Sequence, residues 1–259
     1  MSDPLHAFPT VCGQTLRALA RYASRTAFSW PGGSITYQGA TEQIGRMQKV
    51  FMQLGLEPGA RVALLSANRA DSWCSGVAAQ LARLSVTALH PLGSLDDQLF
   101  QLEDSETQVL VVDADTFRDR GGELAALASN LKAVLTLGPA GYGVDLLAAA
   151  EAAGTASPRS LAGPDDIATL NYTGGTTGKS KGALRYHREY GGFANAILAD
   201  FEIPDTPSYL AVAPISHVAG TKVLPISREE FSRTITATMP QNKVSMNIEA
   251  FDLGWQMVS

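Results

Sequence analysis

The stretch NYTGGTTGKSKGALRYH, residues 171–187, decides how this chain is read. It holds four glycines, four serines or threonines and two lysines, and it lies between two β-like runs. Glycines tolerate φ > 0 and let backbone N–H groups approach an anion closely, hydroxyls donate to phosphate oxygens, and lysine adds charge. The composition therefore points to a phosphate loop, against the alternative of a glycine-rich β-hairpin that binds nothing. The common nucleotide loop Gly-x-x-x-x-Gly-Lys-Ser/Thr does not fit. Gly178, Lys179 and Ser180 match its end, but the position five residues before Gly178 is Thr173, where that loop needs glycine. Another phosphate-binding scheme is required.

Working outward, the chain alternates. Residues 14–22 read as a helix, with β-prone pieces at 27–30 and 34–37. Thr41 is placed to cap a helix whose apolar positions are Ile44, Met47, Phe51 and Leu54. Strands are predicted at 61–65, 85–89, 108–112 and 132–137. Helices are predicted at 68–84, 94–103, 122–130 and 144–153. Residues 154–164 form a loop of small and polar residues. A strand at 167–172 then leads into the glycine loop, a second strand at 182–186 leaves it, and a helix at 187–200 follows. A last apolar run is Tyr209 to Ala213. Strands that are apolar throughout, alternating with helices of about ten residues, predict an α/β fold with a mostly parallel sheet flanked by helices.

The bulk properties narrow the function. With 259 residues, 45% of them hydrophobic and 17% charged, the chain has the composition of a globular protein with a sizeable core. A net charge of −5 argues against a nucleic-acid partner. No run of about 18 apolar residues predicts a transmembrane helix, and the start MSDPLHAFPTVC lacks the pattern of a secretory signal. Cys12 and Cys74 lie far apart, and His6, His90, His187 and His217 are scattered, so no metal site is expected. A cytoplasmic protein with reduced thiols is the expectation.

Residues 170–182, LNYTGGTTGKSKG, resemble the signature phosphate loop of the adenylate-forming (AMP-binding) superfamily of acyl- and aryl-CoA synthetases, peptide-synthetase adenylation domains and luciferases. Its usual form is Tyr-Thr-Ser-Gly-Thr-Thr-Gly-x-Pro-Lys-Gly; Gly174 replaces the serine and Ser180 the proline. Ser34 to Tyr37, Gly59 to Ala63, Leu102 to Ser105 and Val212 to Gly220 resemble further family segments. The likeness runs from about Gln14 to Pro225, so the fold class becomes that of the large N-terminal domain of such enzymes, incomplete.

The resemblance implies a carboxylic acid–CoA ligase of the acyl-CoA synthetase type. It activates a small-molecule acid as an acyl-adenylate with ATP and Mg²⁺, then passes the acyl group to coenzyme A. Thr173, Gly174, Gly175, Thr176, Thr177, Gly178 and Lys181 would grip the β- and γ-phosphates, and Lys179 falls on a variable position. His217 matches a histidine beside the carboxylate pocket. His187 matches a frequent histidine whose role is as readily structural as catalytic.

After Pro225 the resemblance ends. It divides the chain into 1–225, a partial AMP-binding domain, and an unmatched tail, 226–259, which is not expected to complete the fold. The family's Tyr-Gly-x-Thr-Glu and Thr-Gly-Asp motifs are not found among these residues: Tyr142-Gly143 and Tyr190-Gly191 are not followed by Thr-Glu. A frameshift, an internal deletion or a compact variant would each give such a sequence. An inactive remnant that binds phosphate weakly, or a partner protein, is the alternative to the enzyme.

Overall fold

The computed structural model describes residues 10–173 and 180–200. In chain order the elements are α1 (Val11–Arg21), β1 (Thr26–Trp30), β2 (Gly33–Thr36), α2 (Tyr37–Gln53), β3 (Arg61–Leu65), α3 (Ala70–Leu81), β4 (Ser85–Ala88), α4 (Leu95–Asp104), β5 (Val109–Asp113), α5 (Ala114–Leu127), β6 (Ala133–Leu137), β7 (Val144–Asp145), α6 (Leu146–Ala152), β8 (Ile167–Thr173), β9 (Lys181–Tyr186) and α7 (His187–Asp200). β1 and β2 form an antiparallel ribbon, and the other seven strands form one sheet in the order β7-β6-β5-β3-β4-β8-β9. Every pairing in that sheet is parallel except β8 with β9.

The central strands β3 and β5 are mostly apolar because both faces of the sheet are covered there. Successive strand residues point to opposite faces. Val62, Val86, Val109, Val111 and Leu135 pack with α1, α2, α3 and α6 residues such as Leu19, Ile44, Met47, Phe51, Leu81 and Leu146. Ala63, Leu65, Leu110 and Val112 pack on the other face with Leu102 of α4 and Leu124 of α5. The apolar positions expected on one face of α2 are buried there as predicted, with Leu54 packed at the edge.

Three local expectations need correction. α2 begins at Tyr37, capped by Thr36, whose Oγ1 accepts from the Gly39 N–H at 3.0 Å. Thr41 lies inside the helix and donates to the Tyr37 carbonyl at 2.7 Å. α5 begins at Ala114, capped by Asp113, and runs through Gly121 and Gly122 with a kink at Phe117. The expected start at 122 falls inside this helix, where Gly121 serves close packing: a Cβ there would sit 2.4 Å from Val112 Cγ1. The expected helix at 144–153 is a two-residue strand followed by a helix, because Asp145 caps α6 by accepting from Leu147 N at 2.9 Å. The expected strand at 209–213 lies outside the described residues.

Candidate phosphate-binding hairpin

β8 enters the sheet beside β4, with Val86 paired to Thr169. It then pairs antiparallel with β9: Thr173 faces Lys181, Tyr172 faces Gly182, Asn171 faces Ala183, Leu170 faces Leu184 and Thr169 faces Arg185. The strands expected at 167–172 and 182–186 are thus both present, each one residue longer at the loop end. Residues 174–179 between them lie outside the described residues. Of the predicted phosphate-gripping residues, Thr173 and Lys181 are described and Gly174, Gly175, Thr176, Thr177 and Gly178 are not. His217 lies outside the described residues as well, as does the tail at 226–259.

Thr173 and Lys181 are both exposed and occupy facing register positions where the loop leaves the sheet. Thr173 Oγ1 reaches the Lys181 carbonyl only at 3.5 Å, the outer limit of a hydrogen bond, so this hydroxyl is weakly held. A hydroxyl and an ammonium side by side suit an anion. Mg²⁺ asks for carboxylate oxygens, and among the described residues no cluster of three or more His, Cys, Asp or Glu side chains could hold a metal ion.

The stem is held on both faces. On one, the Tyr172 hydroxyl donates to Asp104 Oδ2 of α4 at 2.5 Å, and its ring meets Phe100 edge-on with centroids 6.4 Å apart. Burial, and then the Asp104 carboxylate, push the Tyr172 phenol well above its ordinary range, so it stays a donor. The ring lies over Gly182, where a Cβ would come within 2.9 Å of Leu170 Cδ1 and 3.4 Å of the Tyr172 ring. A side chain there would have to displace the Leu170 methyl and would touch the Tyr172 ring. On the other face, Tyr190 Oη of α7 lies 2.7 Å from Thr169 Oγ1, and Asn171 Nδ2 donates to Thr169 Oγ1 at 3.0 Å and to Tyr190 Oη at 3.2 Å.

The base of the hairpin is also tied. The His187 N–H donates to the Asp166 carbonyl at 3.1 Å and the Arg188 N–H to the Pro164 carbonyl at 3.1 Å. Asp166 accepts from Arg83 Nε at 2.8 Å and from the Gly163 N–H at 2.7 Å. Burial alone would raise the Asp166 carboxyl, but the Arg83 and Gly163 hydrogen bonds outweigh it and leave it below its ordinary value. The His187 side chain is fully buried, and neither ring nitrogen has a hydrogen-bond partner among the described residues. Burial lowers its pKa, offset in part by Asp166, so the ring is neutral at pH 7. This placement favours the structural role for His187. The two cysteines are buried, and burial pushes each thiol up to about 12, which makes both inert.

Sequence reasoning missed the Tyr172–Asp104 brace and the Thr169–Asn171–Tyr190 group. One signal was available for the second: Thr169, Asn171 and Thr173 alternate along β8, so three polar side chains share one face.

A family model described as "AMP-binding enzyme" matches residues 16–227. The chain belongs to that family. It is 33% identical over 228 residues to the medium/long-chain-fatty-acid–CoA ligase FadD8 of Mycobacterium tuberculosis, covering 84% of this chain and 39% of the relative. It is 28% identical over 188 residues to a 2-succinylbenzoate–CoA ligase of Bacillus velezensis, covering 73% of this chain and 35% of the relative. The chain therefore spans well under half the length of these relatives. Among solved structures, a putative long-chain-fatty-acid CoA ligase from Rhodopseudomonas palustris superposes with a TM-score of 0.72 at 22% identity, over 83% of this chain and 54% of that one. At that identity the likeness speaks to the fold: the α/β architecture with a mostly parallel sheet is that of AMP-binding enzymes. Among the described residues no helix is long and apolar enough to cross a membrane.

Proposed function

We propose that this chain supplies the phosphate grip of an AMP-forming carboxylic acid–CoA ligase. The observation that supports it is the β8–β9 hairpin, which presents Thr173 opposite Lys181 at the mouth of the 174–179 loop in a member of this family. Thr173 and Lys181, with Gly174, Gly175, Thr176, Thr177 and Gly178, hold the β- and γ-phosphates of ATP. An oxygen of the acid's carboxylate attacks the α-phosphorus, the bond to the bridging oxygen breaks, and pyrophosphate leaves. A thiol, that of coenzyme A, then takes the acyl group and AMP departs. Mg²⁺ bound with the nucleotide supplies further positive charge to the phosphates. The chain's own part is positioning and charge neutralisation, which dominate catalysis when charge moves between phosphate oxygens. His217 stands on the acid side of this reading. The name of the 33%-identical relative makes medium- and long-chain fatty acids the first acids to test.

A second reading has the 259-residue chain alone binding phosphate without activating an acid. It is favoured by the sequence itself, in which neither Tyr-Gly-x-Thr-Glu nor Thr-Gly-Asp occurs. The separation of 1–225 as the AMP-binding part from 226–259 as a tail belongs to this reading. ATP–pyrophosphate exchange with a panel of fatty and aromatic acids decides between the two. Acid-dependent exchange that Lys181→Ala abolishes establishes the ligase. Pyrophosphate binding that Lys181→Ala weakens, with no exchange, leaves the phosphate grip alone.

A further inference from the structure

The side chains of Thr169, Asn171 and Tyr190 form a closed triangle of polar contacts. Tyr190 Oη and Thr169 Oγ1 are 2.7 Å apart, and Asn171 Nδ2 donates to these two oxygens at 3.2 and 3.0 Å. The three groups are half-buried. A strand can be held against a helix by apolar contact alone. A polar triangle does something more specific, since hydrogen bonds fix direction and register where apolar contact does not.

The helical end of the triangle stands on a fixed platform. The first turn of α7 is pinned to the turn before β8 by the His187 and Arg188 N–H groups. It is pinned to α1 by Gln14 Nε2, which donates to the Gly191 carbonyl at 3.3 Å. Tyr186 N donates to Glu189 Oε2 at 2.9 Å, which closes the start of the helix. The strand end of the triangle lies beside the site. Asn171 is two residues before Thr173 on the same face, within about 7 Å along a strand. Its cross-strand partner Ala183 is two residues past Lys181. The ring of Tyr172 braces the opposite face, so the strand cannot rotate to follow a loosened Asn171 without losing the Asp104 bond.

We infer that Tyr190, with Asn171 and Thr169, is a positioning group that sets the facing of Thr173 and Lys181 and so tunes the hold of these two residues on a polyphosphate. The inference rests on the phosphate-grip reading above, and it adds three residues that touch no phosphate themselves.

The test uses the whole 259-residue chain, with inorganic pyrophosphate and Mg·ATP as probes in calorimetric titration. Amide hydrogen exchange of the peptides spanning 169–186 is followed in parallel without ligand. Tyr190→Phe keeps the ring and removes only the hydroxyl. It is expected to weaken pyrophosphate binding about five-fold, the effect of one net hydrogen bond, and to speed exchange across 169–186, with a fall in melting temperature of only about 2–4 °C. Thr169→Val should do the same and Thr169→Ser should restore the parent affinity. Asn171→Leu combined with Tyr190→Phe should weaken binding by less than the product of the two single effects, because the groups act as one unit. Exchange and affinity both unchanged in Tyr190→Phe would overturn the inference, as would a fall in melting temperature with unchanged affinity, the mark of a purely structural contact. If the parent chain binds neither probe while exchange still responds to Tyr190→Phe, the phosphate-grip reading fails and this role for the triangle fails with it. If the parent binds and Tyr190→Phe binds equally well, only the triangle's role fails.

Discussion

The central parallel strands and the β8–β9 hairpin belong to one sheet and are held by different forces. Every residue of β5 is buried, and β3 and β5 pack apolar side chains on both faces. β9 has no buried residue and leaves Lys181, Gly182, Leu184 and Arg185 exposed. Its partner β8 buries Ala168 and Leu170 and is further held by directed polar contacts: Tyr172 to Asp104 on one face and Tyr190 to Thr169 and Asn171 on the other. Burial gives a large, undirected stabilisation. Hydrogen bonds give less energy and more geometry. On the proposed reading, the sheet uses the first to exist and the second to aim Thr173 and Lys181 at its edge.

The comparison can be broken most forcefully in the core. Leu110→Ala removes a fully buried side chain from the face that packs on α4 and α5. It should cost about 2–5 kcal/mol in chemical denaturation, while pyrophosphate affinity, measured where the variant is still folded, stays within about two-fold of the parent, because a buried site far from the ligand adds independently. A matched loss of affinity in the folded variant would show that core and hairpin are not separable.

A smaller change sharpens the other side. Tyr172→Phe keeps the ring over Gly182 and deletes the bond to Asp104. It should cost about 1 kcal/mol of stability and raise amide exchange in 167–186 while leaving the β3, β5 and β6 amides protected. Uniform loss of protection across the sheet would contradict a locally braced hairpin.

The smallest effect is in pH. His187 has its folded pKa below the ordinary histidine value of about 6.5, since burial disfavours the charged ring. The unfolded chain therefore takes up a proton that the folded chain refuses. The stability this group contributes is complete above the unfolded value and is lost as pH falls from about 6.5 toward the lowered folded value. Urea midpoints should decline over that window in the parent, and His187→Gln should flatten the decline. A midpoint that rises on acidification through the same window would contradict the buried, neutral ring.

How far the sequence was legible follows from the same contrast. The short runs at 61–65 and 108–112, alternating with helices, were read as covered strands and are β3 and β5 to within a residue, and the helix at 187–200 was bounded correctly. The glycine-threonine stretch at 171–182 marked the hairpin and the family together, because that spacing is long and specific. Boundaries went wrong where a residue type has two uses. Thr36 and Thr41 are both fit to cap, and only the extended backbone at Thr36 decides between them. The helix expected at 122–130 begins eight residues earlier, and only the approach of Gly121 to Val112 shows that it is a packing glycine inside α5. The side chains that aim the hairpin were illegible for a different reason. Tyr172 and Asp104 are 68 residues apart in sequence, and the meeting of Tyr190 with Thr169 depends on where α7 turns back over β8. Such pairs exist only once the strands are registered.

The central claim is that the hairpin's loop is a polyphosphate grip. Its most direct test is calorimetric titration of the chain, and of Lys181→Ala, with inorganic pyrophosphate. Lys181 is exposed, so its removal should leave the melting temperature unchanged. The account predicts saturable binding to the parent that Lys181→Ala weakens about ten-fold, the order of one charge-assisted contact. No saturable binding, or binding that is the same in Lys181→Ala, would contradict it.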